Sequence, residues 1–104
     1  MATVTKEQVL KVLERVNDPE LRLNIVDLGL VYNVDITEDN NVTVEFTLTS
    51  QFCPIGPYIQ MQVEQAVMSI PEVNHVEARL VFDPPWTPDR MSERLKKARE
   101  LGLL

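Results

Sequence analysis

Cysteine and histidine are nearly absent from this 104-residue chain, which holds one of each, Cys53 and His75. One cysteine excludes an internal disulfide and any CxxC zinc or redox pair. One histidine leaves no second imidazole to support a metal site. Basic residues are also scarce: ten Lys and Arg face sixteen Asp and Glu, for a net charge of −6. No basic stripe is available to displace counterions from a nucleic acid or to hold an anionic membrane. No apolar run is long enough to cross a bilayer. Met1-Ala2-Thr3-Val4-Thr5 lacks the basic region and apolar core of a signal peptide. Repeats, low-complexity tracts and linkers are missing as well. These absences point to a cytoplasmic protein with neither nucleic-acid nor membrane partners. What is present is ordinary, 44% hydrophobic and 25% charged, and fits one domain over 1–104 with a single core.

Thr5-Lys6-Glu7-Gln8 has the form of a capping box. Val9, Leu10, Val12, Leu13 and Val16 then make one apolar stripe, which predicts a first helix over about residues 6–16. Pro19 pushes Asp18 out of the helical region. The connection from Asn17 to Gly29 is too apolar for a solvated linker, so Leu21, Leu23, Ile25, Val26 and Leu28 should pin it to the core. Its carboxylates Asp18, Glu20 and Asp27 are then held on an ordered loop, a common place for function. The plainer reading is that Asp18 and Asp27 cap turns. Gly29 suggests a turn with positive φ. Alternation predicts strands over about 30–37 and 42–48, joined by a turn at Glu38-Asp39-Asn40-Asn41. A second helix follows over about 56–69, with Met61 and Met68 read as core or rim packing. A third strand covers His75–Phe82, with Val76, Ala78, Leu80 and Phe82 inward and Glu45, Glu77 and Arg79 on a solvated outer face. Trp86, in Asp83-Pro84-Pro85-Trp86-Thr87-Pro88, is either a lid over the Cys53 region or a plug beneath the last helix. Thr87-Pro88-Asp89 reads as the cap and first turn of a third helix ended by Gly102. Its Arg94, Lys96, Lys97 and Arg99 form an exposed basic side.

The stretch Thr47-Leu48-Thr49-Ser50-Gln51-Phe52-Cys53-Pro54-Ile55-Gly56-Pro57 organises the chain. The hydrophobic period changes across it from two to that of a helix, so Cys53 should sit in a strand-to-helix loop near a helix N-terminus. Unpaired amides and the helix dipole favour an anion there, and a thiol so placed tends toward thiolate, both nucleophile and metal ligand. Thr47 and Thr49 put hydroxyls on the strand face opposite the apolar one, able to donate to such an anion. The plainer alternatives are a small buried hydrophobe at Cys53 and β-propensity on a solvent face for the threonines.

The element order is α-β-β-α-β-α. It gives an α+β, two-layer fold: a three-stranded mixed sheet with helices packed mainly on one face. A right-handed crossover sets strand three parallel to strand two. The free sheet edges leave room for a homodimer.

Several motifs coincide with this plan. They are Asp18-Pro19-Glu20; Asn24-Ile25-Val26-Asp27-Leu28-Gly29-Leu30-Val31-Tyr32; Thr47-Leu48-Thr49 leading to Cys53-Pro54; Leu80-Val81 through Asp83-Pro84-Pro85-Trp86; and Met91-Ser92-Glu93. In order and spacing they resemble the SufT/PaaD-like family, the MIP-eighteen type or "domain of unknown function fifty-nine", over nearly the whole chain. The resemblance implies a compact α/β fold and a role in maturing iron–sulfur proteins as an assembly or targeting factor rather than an enzyme. It maps the reactive cysteine to Cys53, the acidic loop to Asp18, Glu20 and Asp27, and the threonine-bearing strand end to Thr47 and Thr49. Phe52 stands where many relatives look smaller. A cysteine-rich tail and an ATPase domain, found in some members, are missing, so neither a second metal site nor nucleotide hydrolysis carries over.

Clusters usually need four thiolates, so one chain does not bind a cluster stably. Two Cys53 thiolates across a dimer, completed by a carboxylate or an exogenous thiol, would hold a labile, transient iron–sulfur cluster. Equally, Cys53 only contacts the carrier or client. The implied partners are iron–sulfur assembly proteins and client apoproteins. Two rival classes are an interaction module with an inert cysteine and an enzyme using Cys53 as nucleophile, for which His75 is the only imidazole base.

Overall fold

The computed structural model describes residues 4–19, 22–48 and 56–102. Its elements run α1 (Lys6–Leu13), β1 (Val31–Ile36), β2 (Asn41–Phe46), α2 (Gly56–Met68), β3 (His75–Leu80), a short 3-10 turn (Pro88–Arg90) and α3 (Glu93–Glu100). The start of α1 is the expected capping box. Thr5 Oγ1 accepts from the Gln8 amide at 3.1 Å, and Gln8 Oε1 accepts from the Thr5 amide at 2.9 Å. The helix stops at Leu13, short of the expected residue 16. The Arg15 and Val16 amides tighten onto Val12 and Leu13, while the Val16 carbonyl accepts the Ile25 amide at 2.9 Å. The returning connection thus takes a bond that a longer helix would have used.

The sheet order is β1-β2-β3, antiparallel and then parallel, which is the expected mixed sheet. The β1–β2 register pairs Val34 with Val44 and Ile36 with Val42, with an irregularity between Val31 and Asn33. Val42, Val44 and Phe46 are buried beside Val34 and Ala78. Val9 and Leu13 of α1 and Ile59, Val63 and Val67 of α2 have no exposure and belong to the same core. Val76 and Leu80 are only half-buried, because β3 lies at the sheet edge. Met61 and Met68 lie outside the core, at 46% and 48% exposure.

The third helix does not begin where its sequence suggests. Thr87 makes no side-chain cap, the turn at Pro88–Arg90 closes at once, and Met91 is extended, with ψ 152°. α3 starts under Ser92, whose hydroxyl accepts from the Leu95 amide at 3.4 Å. The physical reason is non-local. The Ser92 amide donates to the Asp27 carbonyl at 2.7 Å, holding residues 91–92 extended. Next to this contact Gly29 has φ +76°, as its turn required, and a Cβ on it would collide with the Arg90 carbonyl. Gly102, with φ +75°, follows the end of α3.

Candidate functional site

Thr49, Cys53 and Glu20 lie outside the described residues; the chain flanking them is described. Leu48 is 3% exposed. A Cβ at Gly56 would meet Leu48 Cδ1 at 3.4 Å and Leu80 Cδ2 at 3.1 Å. The segment carrying Cys53 therefore leaves from and returns to one end of the sheet, where Phe46 and Leu80 are in register. His75 pairs with Asn41 at the other end, about 17 Å away at 3.3 Å per residue along β3.

Thr47 is not on a solvated face. It has no exposure, and its hydroxyl has no hydrogen-bond partner among the described residues. Its amide donates to the Leu30 carbonyl at 2.8 Å instead of continuing β2. Leu30 in turn donates to Ile25 at 2.9 Å, and Ile25 to Val16 at 2.9 Å. This backbone relay ties Thr47 to the turn that holds Asp18. In that turn the Asp18 amide donates to Leu23 at 2.9 Å and its carbonyl accepts from Arg22 at 2.7 Å. Asp18 is 1% exposed, so a backbone turn and a buried carboxylate occur at the same residue. Of the residues expected to pin the connection, Ile25 and Leu28 are fully buried, Leu23 and Val26 pack partly buried against the core, and Leu21 lies outside the described residues.

Asp27 serves a different end of that connection. Asn24 Oδ1 accepts from its amide at 2.8 Å, and Asn24 Nδ2 donates to its carboxylate at 2.7 Å. The Arg94 guanidinium pairs with the same oxygen, Asp27 Oδ2. Burial by itself pushes the Asp27 carboxyl up. The bonds from Asn24 and Ser92, with the charge of Arg94, outweigh it and hold the group below its usual range. Asp27 therefore caps a turn and clamps the start of α3. Neither Ser92 nor Arg94 stood out as its partner in the sequence. Arg94 read as one of four exposed cations, and no local pattern announces a contact 67 positions apart.

Trp86 packs as a plug would; the Cys53 region that a lid would cover lies outside the described residues. It packs half-buried against the core, and its indole N–H donates to the Leu28 carbonyl at 2.6 Å. Tyr32 was missed as a brace for the same loop: its hydroxyl donates to the Pro84 carbonyl at 2.8 Å, and Arg90 lies over its ring at 4.6 Å. The Asp83–Pro84 peptide is cis.

Residues 6–80 match the model of a family described as iron–sulfur cluster assembly protein. The chain belongs to this family. It is 46% identical over 98 residues to the Fe–S protein maturation auxiliary factor YitW of Bacillus subtilis, covering 94% of this chain and 96% of that one. It is 48% identical over 81 residues to the auxiliary factor SufT of Staphylococcus aureus, covering 78% and 92%. Against an iron–sulfur cluster carrier protein of Synechocystis it is 37% identical over 94 residues, but it spans only 26% of that protein. The fold agrees with a domain of unknown function from Bacillus anthracis at TM-score 0.87 and 41% identity, covering 95% and 92% of the two chains. The names of these relatives support an assembly or carrier role. The family match contains Asp18, Asp27, Thr47 and Cys53 and stops before Trp86 and α3.

Proposed function

We propose that this chain acts in iron–sulfur protein maturation as an adaptor or transient cluster carrier, without turnover chemistry of its own, and that Cys53 is its working group. What supports the reading is a pair of buried polar residues, one of them on the described strand end that leads toward Cys53. Asp18 and Thr47, at 1% and 0% exposure, are polar residues in a layer otherwise filled by Val, Leu, Ile and Phe. They belong to chain segments tied together by backbone bonds. Burying a polar group without a partner is costly where only packing is required, and among the described residues the Thr47 hydroxyl has none. α2 adds a second support. It has 13 residues and no acid in its first turn, so nothing there neutralises the positive end that favours a thiolate.

Among the described residues no three His, Cys, Asp or Glu form a metal site, and the chain has one cysteine. A cluster is therefore cargo, its remaining ligands supplied by a carrier, a client apoprotein or a second copy of the chain. The shortage of soft ligands favours the adaptor form. Glu20 and Thr49 are proposed to belong to the same mouth as Asp18 and Thr47, while Asp27 supports it by holding the connection. Among the described residues no helix is long and apolar enough to cross a membrane; the proposed place of work is the cytoplasm. The rival enzyme reading needs a base within hydrogen-bond reach of Cys53, and His75 stands at the far end of β3.

Two measurements test the proposal. Anaerobic reconstitution with iron and sulfide, followed by visible absorption of wild type and Cys53→Ser, tests the carrier form; identical featureless spectra remove it. A pull-down from the native host, comparing wild type with Cys53→Ala, tests the adaptor form; an unchanged set of captured iron–sulfur proteins would reduce Cys53 to an inert core residue.

A further inference from the structure

The region of α3 carries charge of the opposite sign to the rest of the molecule. Residues 90–99 hold five of the ten Lys and Arg and one of the sixteen Asp and Glu, so they carry +4 while the remaining residues carry −10. The two flanks of α3 differ. On one, Lys96 pairs with Glu93 at 3.6 Å, and Arg99 lines a cleft with Asp89 and Glu100. The other bears no acid: Arg94, Lys97 and Leu101 follow one another at three and four residues, the spacing of a single helical stripe. All three are exposed. Among the described residues Lys97 has no carboxylate partner. α3 is also held by more contacts than its burial accounts for. Of its eight residues only Leu95 is buried. Yet the Ser92 amide donates to the Asp27 carbonyl, Arg94 pairs with the Asp27 carboxylate, and Trp86 and Tyr32 fasten the loop that leads to the helix. A merely solvated tail would lose conformational entropy to such contacts and gain little from burial. A fixed direction for α3 suits a face that meets a partner.

We propose that the Arg94–Lys97–Leu101 stripe docks an acidic segment of a partner protein, with an aliphatic side chain of that segment resting on Leu101. Charge complementarity sets the class of partner. Arg94 gives one nitrogen to Asp27 and, with its side chain 75% exposed, keeps donors for a second carboxylate. Lys97 offers an ammonium with no internal competitor, and Leu101, 65% exposed, offers an apolar anchor that a phosphate backbone does not match. Size separates a peptide from longer polyanions. α3 is about 12 Å long, and exposed charges act over about 8 Å at physiological salt. A short acidic segment on the stripe therefore meets the +4 region alone. A nucleic acid or an anionic membrane would extend along a molecule 46 Å long and meet the −10 remainder. The docking face stands on α3 and does not depend on the role of Cys53.

A fluorescein-labelled synthetic peptide of Glu with Leu at every fourth position, titrated with the full chain and read by fluorescence anisotropy, tests this directly. Wild type should bind it, and less tightly as salt is raised. Lys97→Glu should weaken binding about tenfold, whereas Arg99→Glu, an equal change of net charge on the other flank, should weaken it about twofold or less. Leu101→Ala should weaken it about threefold. All three positions are exposed, so circular dichroism should show the fold unchanged. Cys53→Ser should bind as wild type does, which keeps this result separate from any test of the thiol. A wild type that does not bind at millimolar concentration, or equal losses in Lys97→Glu and Arg99→Glu, overturns the proposal. An unchanged Leu101→Ala overturns its apolar half. An oligothymidylate of the same length that binds as tightly as the peptide also overturns it, because the face would then take polyanions in general.

Discussion

A hydroxyl buried without a partner, as Thr47 Oγ1 is among the described residues, costs about 1–3 kcal/mol. Thr47→Val removes that cost while keeping the shape of the side chain. It should raise stability by about 1 kcal/mol, or roughly 4–8 °C in thermal midpoint for a domain of this size. If the hydroxyl serves the Cys53 mouth, the same variant should lose maturation activity in a complementation assay. A more stable protein with full activity would make Thr47 ordinary core. Asp27 makes the opposite trade. Its carboxyl lies lower in the folded protein than its usual 3.8, so the stability it contributes is present above that value and fades as pH falls through the folded value. Asp27→Asn should cost about 1 kcal/mol at neutral pH, with little from Arg94, whose side chain is 75% exposed. The gap between variant and wild type should close below about pH 4; a gap that stays constant with pH would show that packing, not charge, is what was lost. Of the two residues, only the turn-capping habit of Asp27 was readable from its neighbours. The burial of Thr47 depends on Leu30, which is brought alongside by the connection from Asn17 to Gly29.

Local chemistry decides where some elements begin and leaves others to their surroundings. Thr5 and Gln8 satisfy each other's amides across one turn, so the start of α1 needs nothing beyond four residues. Thr5→Ala should cost about 1 kcal/mol, seen as a lower urea midpoint at unchanged slope. A slope that changes with it would point instead to an altered denatured state. Thr87-Pro88-Asp89 has equally good local credentials and yet forms only a 3-10 turn. There the Asp27 carbonyl, the Asp27 carboxylate and Gly29 grip the chain at residues 90–94, and α3 restarts under Ser92. The same reasoning separates the two faces of α2. Its period announces a buried stripe, but the exposure of Tyr58, Met61 and Met68 follows from the lack of any described element that covers them.

At the scale of the molecule, a three-stranded sheet has two edges to protect. On β3, Val81 donates to Phe46, so the odd-numbered residues face β2 and the Ala78 carbonyl points to the open edge. Gln60 of α2 reaches over and donates to it at 2.8 Å. Gln60→Leu should uncover that acceptor and promote association through the edge, measured as faster growth of light scattering on warming. Scattering no greater than wild type would show that the side chain is not a guard.

The sequence by itself determined the order of helices and strands, the mixed sheet, the capping box of α1 and the scarcity of thiolate ligands. These follow from hydrophobic period, from contacts a few residues apart and from the count of soft ligands. Tertiary structure alone decided that Asp27 clamps α3, that Thr47 and Asp18 are buried on segments tied together, that the third helix is broken at Met91, and that α2 keeps an uncovered apolar face. Each depends on which distant segment lies against a residue, and burial and pairing across such distances leave no mark in local pattern.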